Sequence, residues 1–299
     1  MIDYKLLEAL ALVIDEGGFE KAAHKLCITQ SAVSQRVKIL EEMTGRILVT
    51  RTVPPGATET GLRLLAHYRK VKLLEEDLAL EIPQDENPPC PVLAIGINAD
   101  SLATWFLEAV EEVVKGRKLI LDLRVDDQEL TQKLLQNGQV CGCVSTHPKQ
   151  LQGCRVEQLG SMEYGLFCTP LFARKWFGEG LCISGIQSAP SIVYNRQDNI
   201  NKLIFNLLFP SELGSLPIFY VPSSEKIVDC ILRNLCYGAL PAQQSKPLCR
   251  QGLLVDLAPT CKIEVELYYH CWNLRSQIIE DFTRQFIAKA RKILHISAE

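Results

Sequence analysis

Ten residues, Ile82 to Pro91, divide this chain into two folding regimes. They hold Pro83, Pro88, Pro89 and Pro91. Proline lacks a backbone donor and blocks helix continuation, so no helix or inner strand can run through the segment. Ahead of it apolar residues recur at helical spacing. Behind it short apolar runs alternate with amphipathic stretches. A chain of 299 residues also exceeds what one hydrophobic core organises, so separate units on the two sides are expected.

In the first unit, Tyr4 to Glu16 carries Leu6, Leu7, Leu10, Val13 and Ile14 on one stripe, and Gly17-Gly18 stops it. Phe19 to Leu26 reads as a short helix with Ala22, Ala23 and Leu26 inward, and Cys27-Ile28-Thr29 as a tight connection. Thr29 is the N-cap expected for a third helix from Gln30 to about Thr44, with Gly45 as its stop. Ile47-Leu48-Val49 reads as a short strand and Pro54-Pro55-Gly56 as a hairpin tip. Thr58 then opens a long helix to Glu81. Its Leu64, Val71, Leu74 and Leu78 fall at coiled-coil spacing, interrupted by His67, which predicts a dimer seam.

Beyond the prolines, strands are expected at Val92 to Ile97, Leu119 to Val125 and Val140 to Ser145, with helices at Ser101 to Val114 and Glu129 to Asn137. Tyr164 to Cys168, Ser191 to Tyr194 and Ile218 to Val221 read as further strands. Ser224 to Leu235 and the closing Gln277 to Leu294 read as helices. Alternation at this pitch predicts an α/β domain with mainly parallel strands.

The third helix carries the most informative chemistry. Val33, Val37 and Leu40 share one face, while Gln30, Ser31, Ser34, Gln35 and Lys38 share the other. Amides and hydroxyls can meet base edges, and a lysine suits phosphate. A short helix, a three-residue turn and a helix polar at its N-terminal end match helix-turn-helix docking in the major groove. A solvated helix face gives the same pattern, and spacing alone leaves both readings open.

The run Ala22-Ala23, Leu26, Ile28-Thr29-Gln30-Ser31-Ala32-Val33-Ser34, Leu40-Glu41 and Gly45 resembles the signature of LysR-type transcription regulators. Arg51-Thr52 and Thr58-Glu59-Thr60-Gly61 extend it. The resemblance implies an α/β protein with an all-α N-terminal part. Its pieces would be a winged helix-turn-helix (1–57), a dimerisation linker helix and hinge (58–91), and a two-lobed effector-binding domain (92–299). That last domain would be similar to periplasmic binding proteins, with lobe I at 92–161 and 269–299 and lobe II at 162–268. For DNA it implies Gln30, Ser31, Ser34 and Gln35 at the major groove, Arg36 and Lys38 at phosphates, and Thr29 as a further DNA-binding residue. Arg51, Thr52, Pro54 and Pro55 would form the wing, although an internal salt bridge of Arg51 and a stiff proline turn are equally ordinary meanings. The implied partners are double-stranded promoter DNA, RNA polymerase, and further copies of the chain in a homodimer or homotetramer.

The resemblance also places effector contacts at Asn98, Asp100 and Ser101, at Ser145 and Thr146, at Asn195 and Asp198, and at Ser223, Ser224 and Glu225. Ser101, Ser223 and Ser224 would start helices and bind a carboxylate. Asp100, Asp198 or Glu225 would receive an ammonium or guanidinium. Each serine has an ordinary N-cap as its other meaning, and each acid a favourable charge near a helix start. Residues 26–36, 49–55 and 98–105 are similar to a subfamily answering to lysine and arginine. A basic amino acid is therefore the implied effector, acting on amino-acid transport or metabolism genes; another ligand or thiol oxidation is the alternative.

A net charge of −3 neither supports nor excludes DNA, because a contact face needs only local positive charge. The twelve cysteines include no Cys-x-x-Cys. They read as buried thiols of a reducing compartment, ahead of a redox switch and of a metal site. Cys141 and Cys143 alternate along an apparent strand from Gln139 to Ser145, with too few histidines nearby for zinc. The opening Met1-Ile2-Asp3-Tyr4 lacks a basic, then apolar, leader, and no uncharged span of about 20 residues occurs. A cytoplasmic protein without a membrane partner is expected. With no glycine-rich phosphate loop, metal cluster or nucleophile elbow, neither enzyme activity nor a cofactor is expected. A periplasmic solute receptor would need a leader and no helix-turn-helix, the reverse of this pattern.

Overall fold

Three short helices build the first core: α1 (Tyr4–Asp15), α2 (Phe19–Lys25) and α3 (Gln30–Thr44). The computed structural model describes residues 3–82, 90–117, 119–125, 128–209 and 214–294; Pro83, Pro88 and Pro89 of the expected linker lie outside them. Leu7, Leu10 and Val13 of α1 are fully buried with Ala22, Val33 and Leu40. Between α2 and α3 the chain turns through Cys27 at φ +53, and the Ile28 N–H returns to the Ala23 carbonyl at 3.1 Å. That bond closes α2 with a left-handed residue, the usual way to satisfy the last carbonyls of a helix. Thr29 caps α3 by accepting from the Ala32 N–H, and Gly45 ends it in the left-handed region.

The expected strand Ile47–Val49 reduces to a single bridge between Val49 and Ala57. The cause is local. The Glu41 carboxylate takes the N–H of Leu48 at 2.7 Å and of Val49 at 3.4 Å, so these donors do not enter a ladder. The wing closes through the Thr50 N–H and the Gly56 carbonyl, 2.7 Å apart.

Capped by Thr58, α4 (Glu59–Glu81) belongs to two cores at once. Leu65 packs with Leu6, Leu7 and Leu40, while Leu73, two turns on along the same face, packs into the α/β core. Of the expected seam, Leu64 and Val71 are half-buried and Leu74 and Leu78 exposed. Arg69 reaches both ways from α4, pairing with Asp15 of α1 at 2.5 Å and donating to the Gly138 carbonyl at 3.1 Å. Gly138 has φ +68, and a Cβ there would overlap the Ala66 backbone, so only glycine lets α4 lie this close.

The α/β part runs β1 (Val92–Ile97), α5 (Ala99–Ser101), a π-helical turn (Leu102–Phe106), α6 (Leu107–Arg117), β2 (Ile120–Val125), α7 (Gln128–Gln136) and β3 (Gly142–Ser145). It continues with β4 (Cys154–Cys168), α8 (Pro170–Trp176), α9 (Ile183–Ser188), β5 (Ser191–Val193), α10 (Ile200–Leu208), β6 (Ile218–Tyr220) and α11 (Ser224–Leu232). The last elements are β7 (Gly238–Pro241), α12 (Ala242–Arg250), β8 (Val255–Asp256), β9 (Ile263–Trp272) and α13 (Gln277–Ile293). The N–H of Ile278 donates to Asp77 of α4 at 3.1 Å, tying the start of α13 to the linker helix.

The expectation of mainly parallel strands is corrected. Among the described residues the parallel ladders are β1–β2, β1–β3 and β5–β6, with one isolated parallel bridge between Ser191 and Tyr237. β3–β9, β4–β7, β4–β8 and β4–β9 are antiparallel. The chain leaves one lobe along β4 and returns along β9, so these two long strands run in opposite directions and pair with each other. Their register breaks between Gln158 and Gly160, opposite Tyr268 and Leu267, with Gly160 at φ +139. On one side of the break lies the core of Ile95, Phe106, Tyr269 and Phe286; on the other lie those of Phe172 and Tyr237 and of Ile192 and Ile231. No helix among the described residues is long and apolar enough to cross a membrane.

Candidate functional site

Two polar surfaces stand out. On α3, Val33, Val37 and Leu40 are buried, which turns Gln30, Ser31, Ser34, Gln35 and Lys38 outward together. Thr29 and Ser31 share a hydroxyl contact of 3.0 Å beside the cap. Lys38 leans toward Glu42 at 3.7 Å, an exposed pair that a phosphate can outcompete, and Arg36 is half-buried at the side of the face. In the wing Arg51, Thr52 and Pro54 are exposed and Pro55 half-buried. Arg51 has no ion-pair partner among the described residues. The Thr52 hydroxyl donates to the Pro54 carbonyl at 2.8 Å and stiffens the tip.

The second surface is a cavity of about 30 Å³ between the two lobes. Asp100 enters it from the start of the first lobe's helix. Its Oδ1 accepts from the Ser224 hydroxyl at 2.6 Å and its Oδ2 from the Tyr164 hydroxyl at 2.8 Å. Burial pushes the Asp100 carboxyl above the usual carboxylate range; the two hydroxyl bonds oppose that, and the charge of nearby Asp198 adds to it. Asp198 lines the same cavity, its oxygens accepting from the N–H groups of Tyr194 at 2.9 Å and Ile200 at 3.0 Å. Neither carboxylate has an ion-pair partner among the described residues. Asp100 is buried and Asp198 half-buried, and no Lys or Arg lines this cavity with them, which makes a site chemically matched to a positively charged group.

Of the expected effector residues, Asp100, Asp198 and Ser224 thus converge. Ser101 is corrected: the helix starts at Ala99 with Asn98 as N-cap, so Ser101 lies inside it, fully buried, its hydroxyl toward the Met162 sulfur. Ser223 caps α11 through the Lys226 N–H and also meets exposed Glu225, and neither lines the cavity. Ser145 accepts from the His147 N–H at the end of β3, and Ser145 and Thr146 also lie outside the lining. Asn195 instead accepts from the N–H groups of Gln197 and Asp198, shaping the Asp198 loop. Tyr164 and Gln244 also line the cavity, and neither carries a sequence signal for ligand binding. Tyr164 opens an expected strand, so its position was visible but its partner, 64 residues away, was not. Gln244 follows Pro241 on a helix that no apolar periodicity announces.

The thiols give no second centre. Cys141 and Cys143 are both buried, but the strand starts only at Gly142, so Cys141 lies outside it. Burial pushes Cys141 up to about 12 and raises Cys143, which keeps both as unreactive thiols. The exposed Cys182 is the opposite case, its thiol lowered chiefly by a hydrogen bond with Ser184.

Comparison with known proteins gives a consistent picture. Residues 4–64 match the model of the bacterial regulatory helix-turn-helix protein, lysR family. The chain is 39% identical over 294 residues, 98% of each sequence, to the HTH-type transcriptional regulator ArgP of Aeromonas salmonicida. It superposes on the crystal structure of ArgP from Mycobacterium tuberculosis with a TM-score of 0.87, at 32% identity and full coverage of both chains. Full-length LysG from Corynebacterium glutamicum with bound effector Arg is also similar, with a TM-score of 0.76 at 32% identity over 97% of this chain and 99% of that one.

Proposed function

The chain belongs to the LysR family of bacterial transcription regulators, and from that premise we propose that its α3 face reads promoter DNA under the control of a basic amino acid bound between the lobes. The observation that carries the ligand assignment is the pair Asp100 and Asp198, two acids lining one cavity whose lining holds no Lys or Arg. The arginine held by LysG supports the same class of effector. Asp100 takes the ligand's cation, with Ser224 and Tyr164 holding the carboxylate in place. A cavity of about 30 Å³ admits a group the size of one water. The lobes must therefore part to receive a whole amino acid, and we assign the hinge to the break at Gly160, between lobe I (92–161, 269–299) and lobe II (162–268).

In the DNA-binding unit (1–57), Gln30, Ser31, Ser34 and Gln35 contact base edges. Thr29, Arg36, Lys38 and the wing residues Arg51, Thr52, Pro54 and Pro55 contact the backbone. The exposed Leu74 and Leu78, with Leu64 and Val71, form the dimer seam of the linker (58–91), and pairs of dimers together with RNA polymerase complete the promoter complex. Ligand control requires different affinity for two arrangements of the DNA-reading units. Arg69, bonded to α1 and to the first lobe, is the side chain that joins them.

Calorimetric titration with lysine, arginine and histidine, with and without promoter DNA, tests this reading. Saturable binding of lysine or arginine that changes DNA affinity is expected. Intact DNA binding without heat from any of the three would discard the basic effector and leave the regulator.

A further inference from the structure

The polar groups of the inter-lobe cavity are nearly all satisfied, and the exception is informative. Asp100 accepts two hydroxyl protons, and Asp198 accepts two backbone N–H groups. Gln244 Nε2 lies 3.2 Å from the Ser224 hydroxyl. That hydroxyl spends its one proton on Asp100, so it can only accept from Gln244, which fixes which arm of the amide is the nitrogen. The other arm, Oε1, is buried with no donor. A buried acceptor left unpaired costs free energy and calls for an explanation. Asn98, 6% exposed and two residues before Asp100, carries a second such oxygen, Oδ1.

We propose that Gln244 Oε1 is the third acceptor of a primary-ammonium site whose other two acceptors are the carboxylates of Asp100 and Asp198. The inference rests on the basic-ligand reading of the cleft and deepens it. An ammonium carries three N–H groups and no acceptor, so three acceptors around one point satisfy it completely. The cavity of about 30 Å³ is the size of such a group. Gln244 holds Ser224 with one arm and the ligand with the other, so losing it affects both the carboxylate's positioning and the cation.

The test is calorimetry on the full-length protein with L-lysine, Nε-acetyl-L-lysine, 6-aminohexanoate and L-arginine. The variants are Gln244→Met, Gln244→Glu and Asp100→Asn, each with its unfolding midpoint checked. Gln244→Met is expected to weaken lysine binding by about 10- to 100-fold, the range for a hydrogen bond to a charged group. Gln244→Glu, which keeps the acceptor, should stay within a few-fold of wild type. If Nε-acetyl-lysine binds and shows the same Gln244 dependence, the α-ammonium is the occupant; if 6-aminohexanoate does, the terminal ammonium is. Wild-type affinity in Gln244→Met alongside lost binding in Asp100→Asn overturns the proposal and leaves the basic-ligand reading standing. Binding of arginine without lysine, unchanged in Gln244→Met, leaves Gln244 out of the cation site and also overturns it. Unchanged binding in both Gln244→Met and Asp100→Asn overturns the cleft assignment itself.

Discussion

The polar face of α3 comes from nine consecutive residues, Gln30 to Lys38, whereas the inter-lobe cavity draws on residues 100, 164, 198, 224 and 244. On α3 the side chains stand in water and cost the fold little, because burial of Val33, Val37 and Leu40 already fixes the helix. In the cavity the Asp100 carboxylate has lost water, and its partners Tyr164 and Ser224 are brought from far along the chain. The contrast means that a DNA contact can be changed with little effect on the fold, while a cavity residue couples ligand affinity, protonation and stability.

The sharpest test of that contrast is Asp100→Asn. Calorimetry should show lysine or arginine affinity reduced by about 30-fold or more, the loss expected when one partner of a buried, hydrogen-bonded charge pair is removed. Stability at pH 7 should equal or exceed wild type in urea unfolding, because the buried carboxylate is itself unfavourable. A marked loss of stability would break the comparison. Next comes Gln35→Ala. Fluorescence anisotropy should show specific DNA affinity lower by about 5- to 150-fold, with an unfolding free energy within about 0.5 kcal/mol of wild type. Equal weakening on specific and unrelated DNA would reduce Gln35 to a backbone contact.

Arg69→Ala probes the connection between the two regions. The side chain is mostly buried and bonded to Asp15 and Gly138, so a stability loss of about 1–3 kcal/mol is expected. The ligand's effect on DNA affinity should shrink several-fold while ligand affinity holds; an unchanged ratio would remove Arg69 from the coupling. The smallest effect is that of pH. The folded pKa of Asp100 is raised above its unfolded value, so the folded state binds the extra proton. That contribution to stability is present below the unfolded pKa and is lost as pH rises through the folded one. Ligand affinity runs the opposite way, falling as acid neutralises the carboxylate. A pH titration of binding that is flat from neutrality down into the carboxylate range would count against Asp100 as the cation's partner.

Much of the first unit was legible because its signals are local. The stripe of Leu6, Leu7, Leu10 and Val13, the caps Thr29 and Thr58, and the stop at Gly45 all act within one or two turns. The failures there were local too: the Ile47–Val49 strand lost its donors to a glutamate that its composition does not reveal. In the α/β part β1, α7 and α13 were anticipated within a residue or two. β9 carries a legible pattern too, with Ile263, Val265 and Leu267 alternating with two glutamates as in a half-buried strand. By contrast α12 contains Pro247 and few apolar residues, so its helical state, and with it Gln244, had no local signal.

The sequence by itself determined the helices, the proline break and the outward polar face of α3, because periodicity, capping and turn chemistry are properties of neighbouring residues. The tertiary structure alone decided which acids meet. Asp100 and Ser224 are 124 residues apart, brought together by two antiparallel crossing strands whose pairing no local pattern encodes. The raised pKa of Asp100 and the unpaired oxygen of Gln244 follow from that meeting, since both arise from burial among partners distant in the chain.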